Sequence, residues 1–477
     1  MALVSSGEIS IGGSTTGRSI NLELGKAAGA TSSLNDTDLR SLAGISTGAI
    51  SLSNFYGKSS FTHEYFIRTY GTFNANNGFS AISTDSSTNV YLTGYIGSEG
   101  GGLYIVKTNL NGVVQWQRSL GAYEDTWGYG IGYDSSGNVY VSGSNIDGNL
   151  VVAKYNSNGT IQWQRILFSP NGGQGNCRLA STSAGNIYIF TTTTVPFYDY
   201  NFLTVKYDTN GNLQWQRTLF SQTNNSDNAY DIAIDSSENL YVVGQTGWET
   251  SRFVAKYNSS GTLQWQKSIG TNIDDGSGGG AYAVAVDASS NVYICGGQKP
   301  FIAKYNTNGA LQWQREVYNG YLSDAANGIA VDSSGNPFLF TDDSAPSGPF
   351  GYEKELFAFT KYDTNGTLQW RRFLQNTTNE VDSVYSFYMA KNSTSNLYCV
   401  GGEYNSGFRN VFIKVTGDGS RTGTYGNYTY GVLSGTSYIT TYNDLTRTFT
   451  ETAASLTNTV STYTDAARTY TPTVISL

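Results

Sequence analysis

Side chains able to carry out chemistry are few in this chain, and most of them recur. His63 is the only histidine, which excludes zinc triads and Ser-His-Asp arrangements built on histidine, apart from His63 acting alone. Turns such as Asp85-Ser86-Ser87-Thr88-Asn89 lack the alternating carboxylates and final Glu of a calcium loop. Two carboxylates could hydrolyse a glycoside, but the sequence singles out no pair. We therefore predict no catalytic residue, no metal site, no cofactor and no enzymatic activity.

The elements that would position such side chains form an internal repeat. The stretch Val113-Val114-Gln115-Trp116-Gln117-Arg118 returns five times, with its tryptophan at Trp163, Trp215, Trp265, Trp313 and Trp370. The interval of about 50 residues is in the range of propeller blades. Runs of β-branched and aromatic residues alternate with Asx/Gly turns, which predicts four short antiparallel strands, a to d, in each repeat.

The two ends of the repeat predict how the ring closes. Residues 64–71 align with strand d, one repeat before Trp116, whereas strand d is missing after Gly419. An N-terminal strand would therefore complete the last blade. Only 7 prolines, 56 glycines and 13% charged residues suit strands and tight turns. The predicted fold is an all-β, seven-bladed β-propeller closed by an N-terminal strand.

Two basic positions recur in every repeat. Strand c carries a lysine seven times, and strand d carries a basic residue seven times, from Arg68 to Arg372. A ligand or catalytic residue is needed once per site, so a residue present in every blade is interpreted as part of blade packing. The same reasoning applies to the Gln-Trp-Gln triplets and to the Asx/Gly turns.

Charge and cysteine content restrict the partners and the compartment. The formal net charge is −8, which argues against binding nucleic acid or an anionic membrane surface. No apolar run approaches 18 residues, and the first residues lack a secretory signal. The three cysteines are interpreted as small buried residues. We expect neither membrane insertion nor secretion by a signal peptide.

Residues 1–60 lie outside the repeat and contain too few large apolar groups for a core of their own. Their end, Gly48-Ala49-Ile50-Ser51-Leu52-Ser53-Asn54-Phe55-Tyr56-Gly57-Lys58, resembles the N-terminal segment of bacteriophage virion structural and tail-associated proteins. The resemblance implies attachment to a virion assembled in the host cytoplasm. We expect Leu39, Leu42, Phe55 and Tyr56 to be its apolar anchors. The blades resemble SBBP-type bacterial β-propeller repeats, which implies a fold but no activity.

The predicted domains are an N-terminal virion-anchoring segment at 1–60, the propeller at 61–424 and a Thr/Tyr-rich β tail at 425–477. The tail contains a near-duplication, because 448–460 resembles 462–474. It could fold back on the propeller, add to the N-terminal segment or pair with another chain. The sequence leaves these three arrangements open.

Loop length distinguishes the two faces of the predicted propeller. Turns a–b and c–d are nearly uniform, whereas connections b–c and d–a vary in length and open on the opposite face. The aromatic residues outside the repeat fall in these variable connections and are candidates for recognition: Trp127, Phe197, Tyr198, Tyr200, Trp248 and Tyr352. Alternatively, they pack their own loops.

Two functions fit these patterns. In the first, the protein is a tail-fibre or tail-associated virion component whose variable face recognises a host surface glycan or protein. In the second, it is a purely architectural virion protein, such as a capsid decoration or a tail or collar component, whose face contacts other virion proteins.

Overall fold

The chain divides into two compact units, Met1–Glu64 and Tyr65–Leu477. The structure, a computed structural model, describes parts of the second unit only. The described residues are 66–70, 78–85, 88–96, 102–121, 126–168, 175–195, 199–220, 227–246, 251–270, 279–297, 300–318, 325–345, 354–376, 383–392, 396–404, 408–419, 423–425, 428–432, 436–439, 443–445, 450–453, 457–460, 465–467 and 473–476. Every regular element within these ranges is a β-strand.

Six consecutive groups of four strands form blades 1 to 6, and in each group the strands pair in sequence order. Blades 1 and 2 comprise β2 Gly78–Thr84, β3 Asn89–Ile96, β4 Gly102–Asn109, β5 Val114–Leu120, β6 Thr126–Tyr133, β7 Val139–Asn145, β8 Leu150–Tyr155 and β9 Ile161–Phe168. Blades 3 and 4 comprise β10 Gly175–Ser181, β11 Ile187–Val195, β12 Asp199–Tyr207, β13 Leu213–Phe220, β14 Asn228–Ile234, β15 Leu240–Thr246, β16 Ser251–Tyr257 and β17 Leu263–Gly270. Blades 5 and 6 comprise β18 Ala281–Val286, β19 Val292–Gly296, β20 Phe301–Tyr305, β21 Leu311–Tyr318, β22 Ala325–Val331, β23 Pro337–Ala345, β24 Lys354–Tyr362 and β25 Leu368–Asn376.

Blade 7 joins the two ends of the ring. It contains β26 Ser383–Lys391, β27 Asn396–Tyr404 and β28 Phe408–Thr416, and its fourth strand is β1, Phe66–Tyr70. β1 pairs antiparallel with β28, with Phe66 opposite Lys414 and Tyr70 opposite Asn410. The predicted seven-bladed propeller and its closure by an N-terminal strand are therefore confirmed.

The C-terminal segment adds a further strand to every blade. Its strands are β29 Gly423–Tyr425, β30 Tyr428–Val432, β31 Thr436–Ile439, β32 Asn443–Leu445, β33 Thr450–Ala453, β34 Thr457–Val460, β35 Asp465–Ala467 and β36 Thr473–Ser476. β30 to β36 pair in turn with strand d of blades 6, 5, 4, 3, 2, 1 and 7, and β29 pairs with β30. Of the three arrangements that the sequence left open, the tail folds back on the propeller.

The core lies between the blades. Seven clusters of buried apolar side chains each combine residues of two neighbouring blades. Strand b is buried along its length in blade 2, where all residues of β7 are enclosed. Cys177, Cys295 and Cys399 are free and fully buried on strands a or b, which confirms their interpretation as small core residues.

Candidate functional site

The repeated tryptophan, lysine and arginine side chains fasten each blade to the next. In blade 2, Trp163 Nε1 and Lys154 Nζ both donate to the carbonyl of Thr209 in the c–d turn of blade 3, at 3.1 and 3.0 Å. Arg165 Nε donates to the carbonyl of Gly211 in that turn, at 2.9 Å. Equivalent contacts link blades 1 to 2, 3 to 4 and 5 to 6. This confirms that these residues are structural.

The same turns explain the repeated glycine. Gly211 has a φ of +76°, and an added Cβ would lie 2.9 Å from the ring of Trp163. Glycine is therefore required both by the left-handed backbone and by the close approach of the indole. Trp163 remains half-buried on this turn, so replacing it by alanine should cost less than the about 3–5 kcal/mol typical of a fully enclosed tryptophan.

The carboxylates of the a–b turns are engaged within their own turns. Asp134 Oδ1 accepts the backbone N–H groups of Ser136 and Asn138, both at 2.9 Å. Its Oδ2 accepts the Asn138 amide at 2.7 Å and the Tyr140 hydroxyl at 2.9 Å. The Asx/Gly turns thus account for these acidic residues. Within the ranges that the structure covers, no three His, Cys, Asp or Glu side chains form a group that could hold a metal ion.

A different set of residues converges on the central channel. Every strand a contains a β-bulge, and the first residue after the bulge lies at the same level in all seven blades. Four of these residues are small and three are large and polar: Ala81, Gly130, Ala283 and Gly328 against Arg178, Asp231 and Tyr388. The three polar residues therefore occupy space that the other four blades leave free.

Arg178 ties strand a of five blades together. From blade 3, its Nε donates to the Tyr230 carbonyl at 2.9 Å, and its Nη1 donates to the Tyr129 carbonyl at 2.8 Å and to the Ser80 carbonyl. Its Nη2 donates to the Tyr388 hydroxyl, and the guanidinium lies 4.1 Å from the centre of that ring. Because Arg178 is only 6% exposed, this network is a buried, charge-assisted brace across the channel.

Bordered by this brace, the channel contains an open cavity of about 500 Å³. Asp231 lines it and accepts the N–H of Val284 at 2.9 Å. Burial raises the pKa of Asp231 to about 6, although the positive charge of Arg178 acts in the opposite direction. Ser181 also lines the cavity, but its hydroxyl donates to the Tyr133 carbonyl at 2.7 Å. We find no pair of a nucleophile and an activating base among the described lining residues, so the cavity itself points to no reaction.

The structure describes two of the six recognition candidates, and both lie in strands rather than in loops. Trp127 is the second residue of β6 and is half-buried, with its ring centre 5.6 Å from that of Tyr95 in blade 1. Tyr200 is the second residue of β12 and is 39% exposed. Trp127 was predicted in the d–a connection, whereas it lies in strand a with its ring against the neighbouring blade; its role in recognition stays a prediction.

The remaining candidates lie outside the described residues. On the variable face these are Phe197, Tyr198, Trp248 and Tyr352, and in the N-terminal segment they are Leu39, Leu42, Phe55 and Tyr56. Their roles stay predictions.

Exposure identifies two further residues on the variable face. Ile146, between strands b and c of blade 2, is 67% exposed, and Phe168, at the end of strand d, is 42% exposed. With Tyr200 they are three of the four large apolar side chains exposed in the described ranges, and all three lie at the b–c or d–a end of blades 2 and 3. The fourth, Val113, lies on the uniform face. Sequence reasoning missed Ile146 and Phe168 because neither is an unrepeated aromatic residue in a long connection.

None of the described residues forms a helix with the length and hydrophobicity needed to span a bilayer. A search of curated proteins gave no match. Among solved structures, Sqt1 from Chaetomium thermophilum is similar to 70% of this chain and 82% of its own length, with 12% identity and a TM-score of 0.42. A protein of unknown function from Dyadobacter fermentans covers 73% and 99%, with 8% identity and a TM-score of 0.41.

A subtype N11 neuraminidase-like protein of A/flat-faced bat/Peru/033/2010 covers 74% of this chain and 93% of its own, with 12% identity and a TM-score of 0.37. Residues 101–344, just over half of this chain, match the family model described as outer membrane protein assembly factor BamB. Blades 2 to 5 and parts of blades 1 and 6 lie within that match. The chain therefore belongs to this family of β-propeller repeat proteins.

Proposed function

We propose that this protein is a structural component of a bacteriophage virion, tail-fibre or tail-associated, that docks through residues 1–60 and displays its propeller to the host surface. The proposed role in recognition rests on the difference between the two faces of the propeller. The uniform face is built from turns that hydrogen-bond to neighbouring blades, and the C-terminal strands pair with the outer edges. The variable face is the surface that remains for an individual partner.

The exposed apolar side chains support the same face. Ile146, Phe168 and Tyr200 belong to neighbouring blades 2 and 3 and lie where the connections differ in length. Exposed apolar groups that share one surface are typical of contact sites. A tyrosine offers a large contact area with few rotatable bonds, and it can stack on a sugar ring or on a protein side chain. The partner would be a host surface glycan or protein.

Recognition is tested by binding of the intact protein to host cells. Alanine at Ile146, Phe168 or Tyr200 should weaken attachment by about tenfold each, a loss of ~1.4 kcal/mol, without changing the unfolding midpoint. Val113→Ala is the matched control, because Val113 is 51% exposed but lies on the uniform face. Equal losses in the control, or no loss in any of the three variants, would show that the wrong face was chosen.

Docking is tested on the particle. The proposal rests here on the resemblance of the segment that ends Phe55-Tyr56-Gly57-Lys58, and it predicts that particles assembled with a chain starting at Ser59 lack the protein. A full-length chain carrying Val113→Ala is the control for assembly. Retention of the shortened chain at normal copy number would contradict docking through this segment, whatever the propeller binds.

A purely architectural role is the second candidate. The same face would then contact a neighbouring virion protein, and the exposed apolar residues favour a protein partner as much as a glycan. If this role is correct, alanine at Tyr200 reduces incorporation into particles. Neither the unchanged protein nor any variant then binds to host cells. The proposed absence of enzymatic activity is checked by incubating the protein with host polysaccharide and measuring release of sugar.

A further inference from the structure

The C-terminal strands follow a seven-residue repeat. Starting at Gly426, the sequence divides into seven heptads, at 426–432, 433–439, 440–446, 447–453, 454–460, 461–467 and 468–474. The fourth position is threonine in six heptads and asparagine in one. The third position is aromatic in five, and the last position is mostly Val, Ile or Ala. Seven heptads and seven blades are therefore present in one chain.

Each heptad occupies the same register on its blade. Its last residue lies opposite the basic residue of strand d, as in the pairs Val432 with Arg372, Ile439 with Arg315, Ala453 with Arg217, Val460 with Arg165, Ala467 with Arg118, and Val474 with Arg68. On blade 4, Leu445 lies opposite Ser268. Leu445 is the residue before the last of its heptad, and Ser268 is the residue after the basic Lys267, so the register is the same. The match between heptad and blade thus holds around the whole ring.

The length of the heptad suits one step around the ring. Seven extended residues reach at most about 25 Å, so a heptad has little spare chain once two to five of its residues are paired. The order of pairing, from blade 6 back to blade 1 and then to blade 7, also carries the last heptad to β1. There Val474 and Thr473 lie opposite Arg68 and Thr69. The closing strand is therefore paired on both sides.

We propose that residues 426–474 are a strap of seven interchangeable heptads, one for each blade, which covers the outer edge of every blade and holds the closing strand β1 from outside. An open strand edge is a template for pairing with other chains, and strap strands of three to five residues present only short edges of their own. This strap does not depend on the proposed virion role.

Hydrogen exchange on the full chain tests the strap strand by strand. A double variant, Thr452→Pro with Ala453→Pro, acts at the residues opposite Thr218 and Arg217 in β13. Successive N–H groups of a strand point to opposite sides, so the pair of prolines removes whichever of the two N–H groups is directed at β13. The outward amides of β13 should then exchange at least tenfold faster, while those of β9 and β17 keep their rates. The matched control places the two prolines at Ala454 and Ser455, after strand β33. Equal exchange in both variants, or no change in β13, would overturn the strap.

Deleting one heptad tests whether the heptads are interchangeable. Without 454–460, the next two heptads should move to blades 2 and 1, because seven residues cannot reach across two blades. The deletion removes the heptad of blade 2, yet the outward amides of β1 in blade 7 should lose their protection, while those of β9 keep it. Loss of protection in β9 with β1 unchanged would show that each heptad is specific to its blade. Unchanged exchange in the buried strands β7 and β11 confirms that the variant is folded.

Discussion

The substitution Trp163→Ala measures what the repeated tryptophan contributes. The indole N–H donates to the Thr209 carbonyl at 3.1 Å, a bond worth about 1 kcal/mol. The Arg165 guanidinium lies 5.4 Å from the ring, which adds about 0.5–1 kcal/mol. Contact of the half-buried ring with Gly211 adds about 1–2 kcal/mol. We expect the free energy of unfolding to fall by about 2–4 kcal/mol, less than for a tryptophan enclosed on all sides.

Urea unfolding followed by far-UV circular dichroism measures this loss as a shift of the midpoint at constant slope. The control is Gln162→Ala in the same strand, because Gln162 is exposed and bonds only to the carbonyls of Thr160 and Ile161. It should change stability by less than about 0.5 kcal/mol. A loss below that value for Trp163→Ala, or an equal loss in the control, would refute the role of the indole in joining blades.

Three further predictions concern the channel and the core. Arg178→Ala should lower the free energy of unfolding by about 2–4 kcal/mol in urea titrations, because it removes the charge-assisted hydrogen bonds that join strand a of five blades. The pKa of Asp231, about 6, lies above its ordinary value, so stability should fall as pH rises from about 4 through 6, and Asp231→Asn should abolish that dependence in pH-resolved denaturation. Burial raises the pKa of Cys177 to about 12, so a thiol reagent should label Cys177, Cys295 and Cys399 only as fast as the chain unfolds.

The repeat made the ring predictable from sequence. Identical signals at Trp116 and its counterparts specify the same four strands each time, and the unpaired strand around Phe66 could only complete the blade that lacked one. The family that matches has a different name from the SBBP-type repeats that the blades resemble, yet both are propeller repeats. Local patterns were sufficient to predict the ring because each blade repeats the same strands and turns at nearly the same spacing.

The channel and the strap depend on contacts between distant segments. In the sequence, Arg178 is indistinguishable from other strand residues. Its partners Ser80 and Tyr388 come close only when the inner strands of the seven blades surround the channel. In the tail, the duplication of 448–460 in 462–474 spans two heptads, so the shorter period was overlooked. Trp127 was assigned to a loop because the boundary between connection and strand is poorly specified by residue type.

Not every residue of the uniform face is a suitable control for binding experiments. Thr307 lies in a uniform turn, but its Oγ1 accepts a hydrogen bond from Lys256 Nζ at 2.8 Å. Substituting Thr307 would therefore disturb the joint between blades 4 and 5. Val113, exposed on the uniform face, is the better comparison for binding experiments.

A cryo-EM map of the phage particle that carries this protein tests the central proposal most directly. We predict density for residues 1–60 against a tail or capsid protein, and the b–c and d–a face with Ile146, Phe168 and Tyr200 directed away from the particle. A map with the uniform face directed outward, or particles that contain no copy of the protein, would contradict the proposal.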